Sequence, residues 1–161
     1  MIVENPIIPT DNKTLRLAQR DVIENYKHAL QEHLGSERGQ MDDINDNGLQ
    51  EYLIGGAYTR VLTIPAGVSI VSELWNRERL WIIISGIVAV KSEEGDMLIE
   101  GPYIGKAPYG SRIALYAETD VLWAAITGVP ETKDLNEVED IVKAKGYNDF
   151  TYPWDLVEEL S

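Results

Sequence analysis

Apolar and polar residues change their period twice along this chain. From Thr14 to Leu34 apolar positions return at steps of three and four, through Leu15, Ala18, Val22, Tyr26 and Ala29 to His33. That spacing predicts an amphipathic helix, capped by Asp11 or Thr14 and closed by Gly35. Arg16, Arg20, Glu24, Lys27 and Glu32 fall on its other faces. The stripe suits packing on the chain's own main domain or on a neighbouring subunit, and both stay open. Leu15, Val22 and Tyr26 are the candidate subunit contacts.

From Tyr52 to Thr127 the texture becomes that of short strands: 57–64, 69–75, 80–91, 97–100, 103–107, 112–116 and 121–127. Pro, Gly, Asn and acidic breakers separate them, which predicts an all-β sandwich or barrel, not a parallel α/β sheet. The unbroken apolar run Trp81 to Ile84 fits a central strand covered on both faces. The turn holding Glu93, Glu94 and Asp96 reads as a hairpin with solvated charges. After Pro130 the helical period returns, started by Thr132 or Asp134, lined by Leu135, Val138, Ile141 and Val142, and ended by Gly146. An aromatic tail follows, with Tyr147, Phe150, Tyr152 and Trp154, suited to being tied down on the barrel or on a partner. Residues 1–12, with Pro6 and Pro9, read as an extended arm. Residues 36–50 read as a polar linker, whose Asp42, Asp43, Asp46 and Gly48 lack the acidic spacing of a calcium loop. The organisation is therefore 1–50 arm, helix and linker; 51–128 β domain; 129–161 helix and tail.

Composition narrows the chemistry. The chain has 161 residues, enough for one domain with modest extensions. Its 27 acidic and 14 basic residues give a formal charge of −13. That sign offers no footprint for nucleic acid and argues against an anionic membrane surface. Cysteine is absent, so disulfides, thiolate ligands and cysteine nucleophiles are excluded, and His28 and His33 are the sole histidines. The first residues carry no basic start or long apolar core, so no signal-peptide export is expected.

The punctuation of the β zone resembles the cupin superfamily, whose first motif is Gly-X5-His-X-His-X3–4-Glu-X6-Gly and whose second contains Pro-X-Gly-X-X-His. Gly67 and Gly86 match both ends of the first, and Pro108 and Gly110 match the second. The ligand positions hold Glu73, Trp75, Arg79 and Ile113 instead. An indole, a guanidinium and an isoleucine have nothing to offer a divalent cation, so no metal or other cofactor is expected.

Residues 14–150 also resemble small cupin-like proteins of tailed phages. The resemblance rests on Gly56-Ala-Tyr58-Thr-Arg60 running into Ile64-Pro65-Ala-Gly67, on Leu80-Trp-Ile82 before Gly86, and on Pro108-Tyr-Gly110-Ser-Arg112 running through Tyr116-Ala117 and Asp120 to Trp123. Many members hold a histidine where this chain reads Glu73-Leu-Trp75. The resemblance implies an all-β, cupin-like double-stranded β-helix, or jelly roll, with helical extensions at both ends.

Two functions are consistent with these features. The first is a non-enzymatic phage assembly protein, a virion component or oligomeric accessory protein in the virion or host cytoplasm. It would associate with itself, and with other virion proteins, through the helix stripe and through Tyr152 and Trp154. The second is a small-ligand binder, for a sugar or nucleotide, using Glu73, Trp75, Arg79, Arg112 and Trp123 at the barrel mouth. Against the pocket stands a plainer arrangement, in which the arginines pair with Glu73 or Glu78 and the tryptophans are core. A metal-dependent cupin enzyme ranks below both.

Overall fold

The computed structural model describes residues 2–3, 13–35, 39–40, 48–107, 110–130 and 134–150. In chain order these form β1 (Ile2–Val3), α1 (Lys13–Leu34), β2 (Leu49–Ile54), β3 (Ala57–Ile64), β4 (Ser69–Val71), β5 (Arg79–Ser85) and β6 (Ile87–Ser92). There follow β7 (Gly95–Glu100), β8 (Tyr103–Ala107), β9 (Ala114–Ala117), β10 (Val121–Gly128), α2 (Leu135–Val142) and a short 3-10 turn at Tyr147–Asp149. One antiparallel sheet has the order β1-β7-β6-β9-β4 and the other β2-β3-β10-β5-β8. From β3 to β10 the chain crosses between the sheets at every connection except the β6–β7 hairpin, the winding of an eight-stranded jelly roll, with β1 and β2 added at the edges. The fold is the cupin-like jelly roll that the sequence resemblance implies, with a helix toward each end.

Strand alternation builds the core between the sheets. Ile64, Trp81, Ile83, Val88, Val90, Met97, Ile99, Leu115, Val121 and Trp123 turn inward and lose water contact together. Gly86 divides one predicted strand, 80–91, into β5 and β6. Its φ of +97° is a left-handed turn, and an added Cβ would lie 2.2 Å from the Asp120 carbonyl oxygen. The predicted strand 69–75 stops at Val71, although Trp75 still makes isolated bridges to Ser111 and Lys143. Strand β2 begins inside the predicted linker, and its Leu49–Ile54 register against β3 extends the second sheet.

Helix α1 lies on the outer face of the first sheet, on a different face from the predicted stripe. Ile23 and Leu30 are buried against Val71 and Ala114, with Tyr26 beside them. Leu15 and Val22 are instead 50% and 44% exposed. The reason is polar: Arg16 and Arg20 face the domain, pairing with Glu94 at 3.1 Å and Glu93 at 2.8 Å. The Glu93 turn is accordingly no solvated hairpin, since that carboxylate is buried. Burial pushes its pKa up, against the opposing pull of Arg20.

Helix α2 is capped by the Asp134 side chain, which accepts from the Asn136 N–H at 2.9 Å. It ends at Lys143, earlier than the predicted Gly146. Val138 and Val142 close one end of the barrel against Tyr58, Trp75 and Val129. Tyr147 then returns the chain to α1, its hydroxyl donating to Glu24 at 2.9 Å and its ring lying 3.8 Å from the Arg20 guanidinium carbon. Tyr152 and Trp154 lie outside the described residues.

Candidate functional site

The site is assembled from five strands, β3, β4, β5, β9 and β10, and the loop after β4. On β3 the inward positions are Tyr58, Arg60, Leu62 and Ile64, and on β5 they are Arg79, Trp81 and Ile83. Strand β10 contributes Trp123 and Ala125, β9 Leu115, and the segment around β4 Ile70, Ser72, Glu73 and Trp75. Of these residues all but Tyr58, Ile64 and Ile83 line, together with Ile113, a cavity of about 60 Å³ in the barrel. Glu73, Trp75, Arg79 and Ile113, the four residues at cupin ligand positions, thus converge on one space, and Trp123 joins them.

Arg112 does not. It pairs with Glu24 on α1 at 3.3 Å, outside the barrel, where Lys27 holds the same carboxylate at 2.9 Å. Burial alone would raise the Glu24 pKa, but Lys27, the Tyr147 hydroxyl and Arg112 hold it below the ordinary carboxylate value. Arg112 is therefore part of the clamp that seats α1. Of the two carboxylates suggested as arginine partners, Glu78 pairs instead with Lys106 at 3.1 Å on the surface.

Arg60, which the sequence places only within the Gly-X-Tyr-X-Arg run, is a further residue of the site. Strand alternation from Tyr58 to Ile64 was the signal that places it inside. Both arginines face the indole of Trp75, with guanidinium carbons 4.9 Å (Arg79) and 5.7 Å (Arg60) from its ring centre. Tyr58 stacks on the same indole at 6.4 Å, and its hydroxyl donates to Glu51. Trp81 and Trp123, on the neighbouring strands β5 and β10, tilt against each other at 5.5 Å along the cavity wall.

The electrostatics are unusual for a barrel interior. Arg79 is only 4% exposed, and among the described residues no carboxylate lies within ion-pair distance of it. Its Nη1 is buried without a hydrogen-bond partner, and so is Nε of Arg60. Desolvation, with repulsion from Arg60 added, lowers the Arg79 pKa to about 9. Ser72 is engaged by the backbone, its hydroxyl donating to the Glu73 carbonyl and accepting from the Ile113 N–H, both at 3.0 Å.

A divalent cation does not fit this donor set. One carboxylate, Glu73, shares the space with two guanidinium groups, whose charge opposes a metal ion. Among the described residues no three His, Asp or Glu side chains cluster to hold one.

A second hollow, about 380 Å³, lies outside the barrel between α1 and the first sheet. Val22, Tyr26, Ala89, Leu98 and Tyr116 line it. It is larger and mostly apolar, and its charged lining residues Lys91 and Asp96 pair with each other at 2.7 Å. Convergent polar groups are found in the barrel cavity, not here.

No protein-family model and no curated protein matches the sequence. Solved structures of similar shape include ectoine synthase from P. lautus, at 18% identity over 57% of this chain and 69% of that one, TM-score 0.48. A putative ethanolamine utilization protein from Salmonella typhimurium shares 16% identity over 58% and 80%, TM-score 0.47. A cupin superfamily protein from Desulfitobacterium hafniense shares 13% over 52% and 79%, TM-score 0.45.

Proposed function

We propose that the protein is a small-ligand-binding barrel that works without a resident metal and without turnover. The observation that supports this is the convergence of Trp75, Trp81, Trp123, Arg60 and Arg79 on one interior cavity. Aromatic walls with a few placed polar groups are the usual make-up of a ligand site. The described lining carries one hydroxyl, Ser72, whose hydrogen bonds go to the backbone, and one carboxylate, Glu73. A nucleotide is too large for about 60 Å³, so the ligand is smaller than the sequence alone suggests. Mass spectrometry of small molecules released from the purified chain, with tryptophan emission on adding them back, tests this reading. A saturable emission change supports it. A chain that carries nothing and whose emission responds to no small metabolite overturns it.

Assembly is a second reading, with its own support. Among the described residues no helix packs on the outer face of the second sheet, which presents Tyr52, Ile54, Leu80, Ile84 and Ile104, between 39% and 75% exposed. No acidic residue occupies an outward strand position there, although the chain as a whole carries −13. Two like-charged copies can approach through such a face with least repulsion, so the partner it suits is a second copy. The resemblance to tailed-phage proteins supports placing such an oligomer in a virion or in the host cytoplasm. Light scattering is expected to give a dimer or larger species that Ile104→Lys reduces to monomer. A monomeric wild-type chain contradicts the assembly reading and leaves the barrel untouched.

A further inference from the structure

A buried cation, Arg79, and a half-buried one, Arg60, whose Nε is itself buried without a partner, face one indole and are out of balance with their surroundings. A guanidinium removed from water costs several kcal/mol unless a counter-charge and hydrogen-bond acceptors replace its hydration. Stacking on Trp75 returns part of that, but a π face does not accept the in-plane N–H donors of Arg79 and Arg60. The carboxylates nearby do not close the account. Glu51, opposite Arg60 across the β2–β3 register, accepts from the Tyr58 hydroxyl and does not line the cavity. Glu73 does line it, half-buried, and leaves the three charged groups of the wall at a formal +1.

We propose that the barrel cavity binds a small monocarboxylate, its carboxylate seated between Arg79 and Arg60 and its short apolar body against Trp81 and Trp123. The inference rests on the ligand-binding reading above and names the chemical class of its ligand. A carboxylate is planar and matches the guanidinium fork with two parallel hydrogen bonds, supplying acceptors for donors that now lack them. A single negative charge neutralises the wall's formal +1. Of the remaining described lining, Leu62, Ile70, Ile113, Leu115 and Ala125 are apolar and the Ser72 hydroxyl is engaged by the backbone, so the further oxygens of a phosphate gain no additional side-chain donor from them. About 60 Å³ of space for water-sized groups accommodates roughly four to six non-hydrogen atoms. Acetate, propionate and butyrate fall at that size.

The test titrates the full chain at neutral pH and low salt with propionate, its neutral isostere propionamide, and inorganic phosphate, following tryptophan emission and calorimetric heat. Propionate is expected to bind saturably, at least tenfold more tightly than propionamide or phosphate, and to raise the melting temperature of the wild-type chain. Arg79→Met is expected to lose at least tenfold in propionate affinity. Melting of the wild type with and without propionate keeps the test decisive if that variant does not fold. Equal binding of propionate and propionamide overturns the carboxylate site and leaves a ligand-binding barrel standing. Tighter phosphate binding overturns the choice of carboxylate alone. No response to any of the three overturns the carboxylate proposal, and the broader reading then depends on the metabolite screen.

Discussion

Arg79 enters the barrel because β5 alternates, and Arg79, Trp81 and Ile83 share its inner face. Its pKa, lowered from 12.5 to about 9, makes it a destabilising charge at neutral pH. For a cation whose folded pKa is depressed, the cost is fully present below about pH 9. It is relieved as pH rises from there toward 12.5, because the unfolded chain then binds the extra proton. Arg79→Met should therefore raise stability by about 1–3 kcal/mol at pH 7 without added anion. The difference from wild type should shrink above pH 9 in paired denaturation curves. A loss of stability in the variant would mean that Arg79 is a structural partner. Gly86 is a backbone requirement of the opposite kind: a left-handed φ with the Asp120 carbonyl where a Cβ would go. Gly86→Ala should cost more than about 3 kcal/mol in chemical denaturation. Gly67→Ala, at φ +86° but in open space, should cost about 1–2 kcal/mol. Both glycines were legible in the motif. So were the positions of Glu73, Trp75, Arg79 and Trp123, because ligand spacing is set by the strand register that the glycines punctuate. Arg112 was not: it lies near the site in sequence, but its ion pair forms across tertiary structure with Glu24, which no local pattern encodes.

At the scale of elements, α1 is held by apolar burial at its centre and by a charged clamp along one side. Arg20 joins Glu93 and the Tyr147 ring, while Glu24 joins Lys27, Arg112 and the Tyr147 hydroxyl. Burial, and then the hydrogen bond to Glu24, raise the Tyr147 pKa above its ordinary 10.0. An acid whose folded pKa is raised contributes stability that is whole below the unfolded pKa, here 10.0, and is lost as pH climbs beyond it. Tyr147→Phe should cost about 1 kcal/mol at neutral pH. It should also flatten the decline in stability above pH 10, measured by urea denaturation across the alkaline range. The helix and its length were readable from period and caps. Its buried face was not, because side chains that sequence reading assigns to solvent, Arg16 and Arg20, find carboxylates on the β6–β7 turn. Strand β2 escaped for a related reason. Leu49 and Gln50 follow a run of turn-forming polar residues, and the pairing that makes them strand belongs to β3.

For the molecule as a whole, the eight-strand winding brings the end of β3, the start of β5 and the loop after β4 to one interior point. The described cavity lining carries Arg60 and Arg79 against Glu73 alone, so it is positive inside a chain whose formal charge is −13. That contrast favours a small anion that can leave bulk water over a macromolecular polyanion that the surface repels. The all-β class, the two helices and the order of the punctuation follow from residue patterning. The positive cavity does not, since it depends on which carboxylates fail to reach Arg60 and Arg79. The most direct measurement is the set of indole N–H resonances in two-dimensional NMR as propionate is added. Those of Trp75, Trp81 and Trp123 are expected to shift together and saturate, while equimolar propionamide leaves them in place. Resonances that stay fixed throughout the propionate titration would contradict the site.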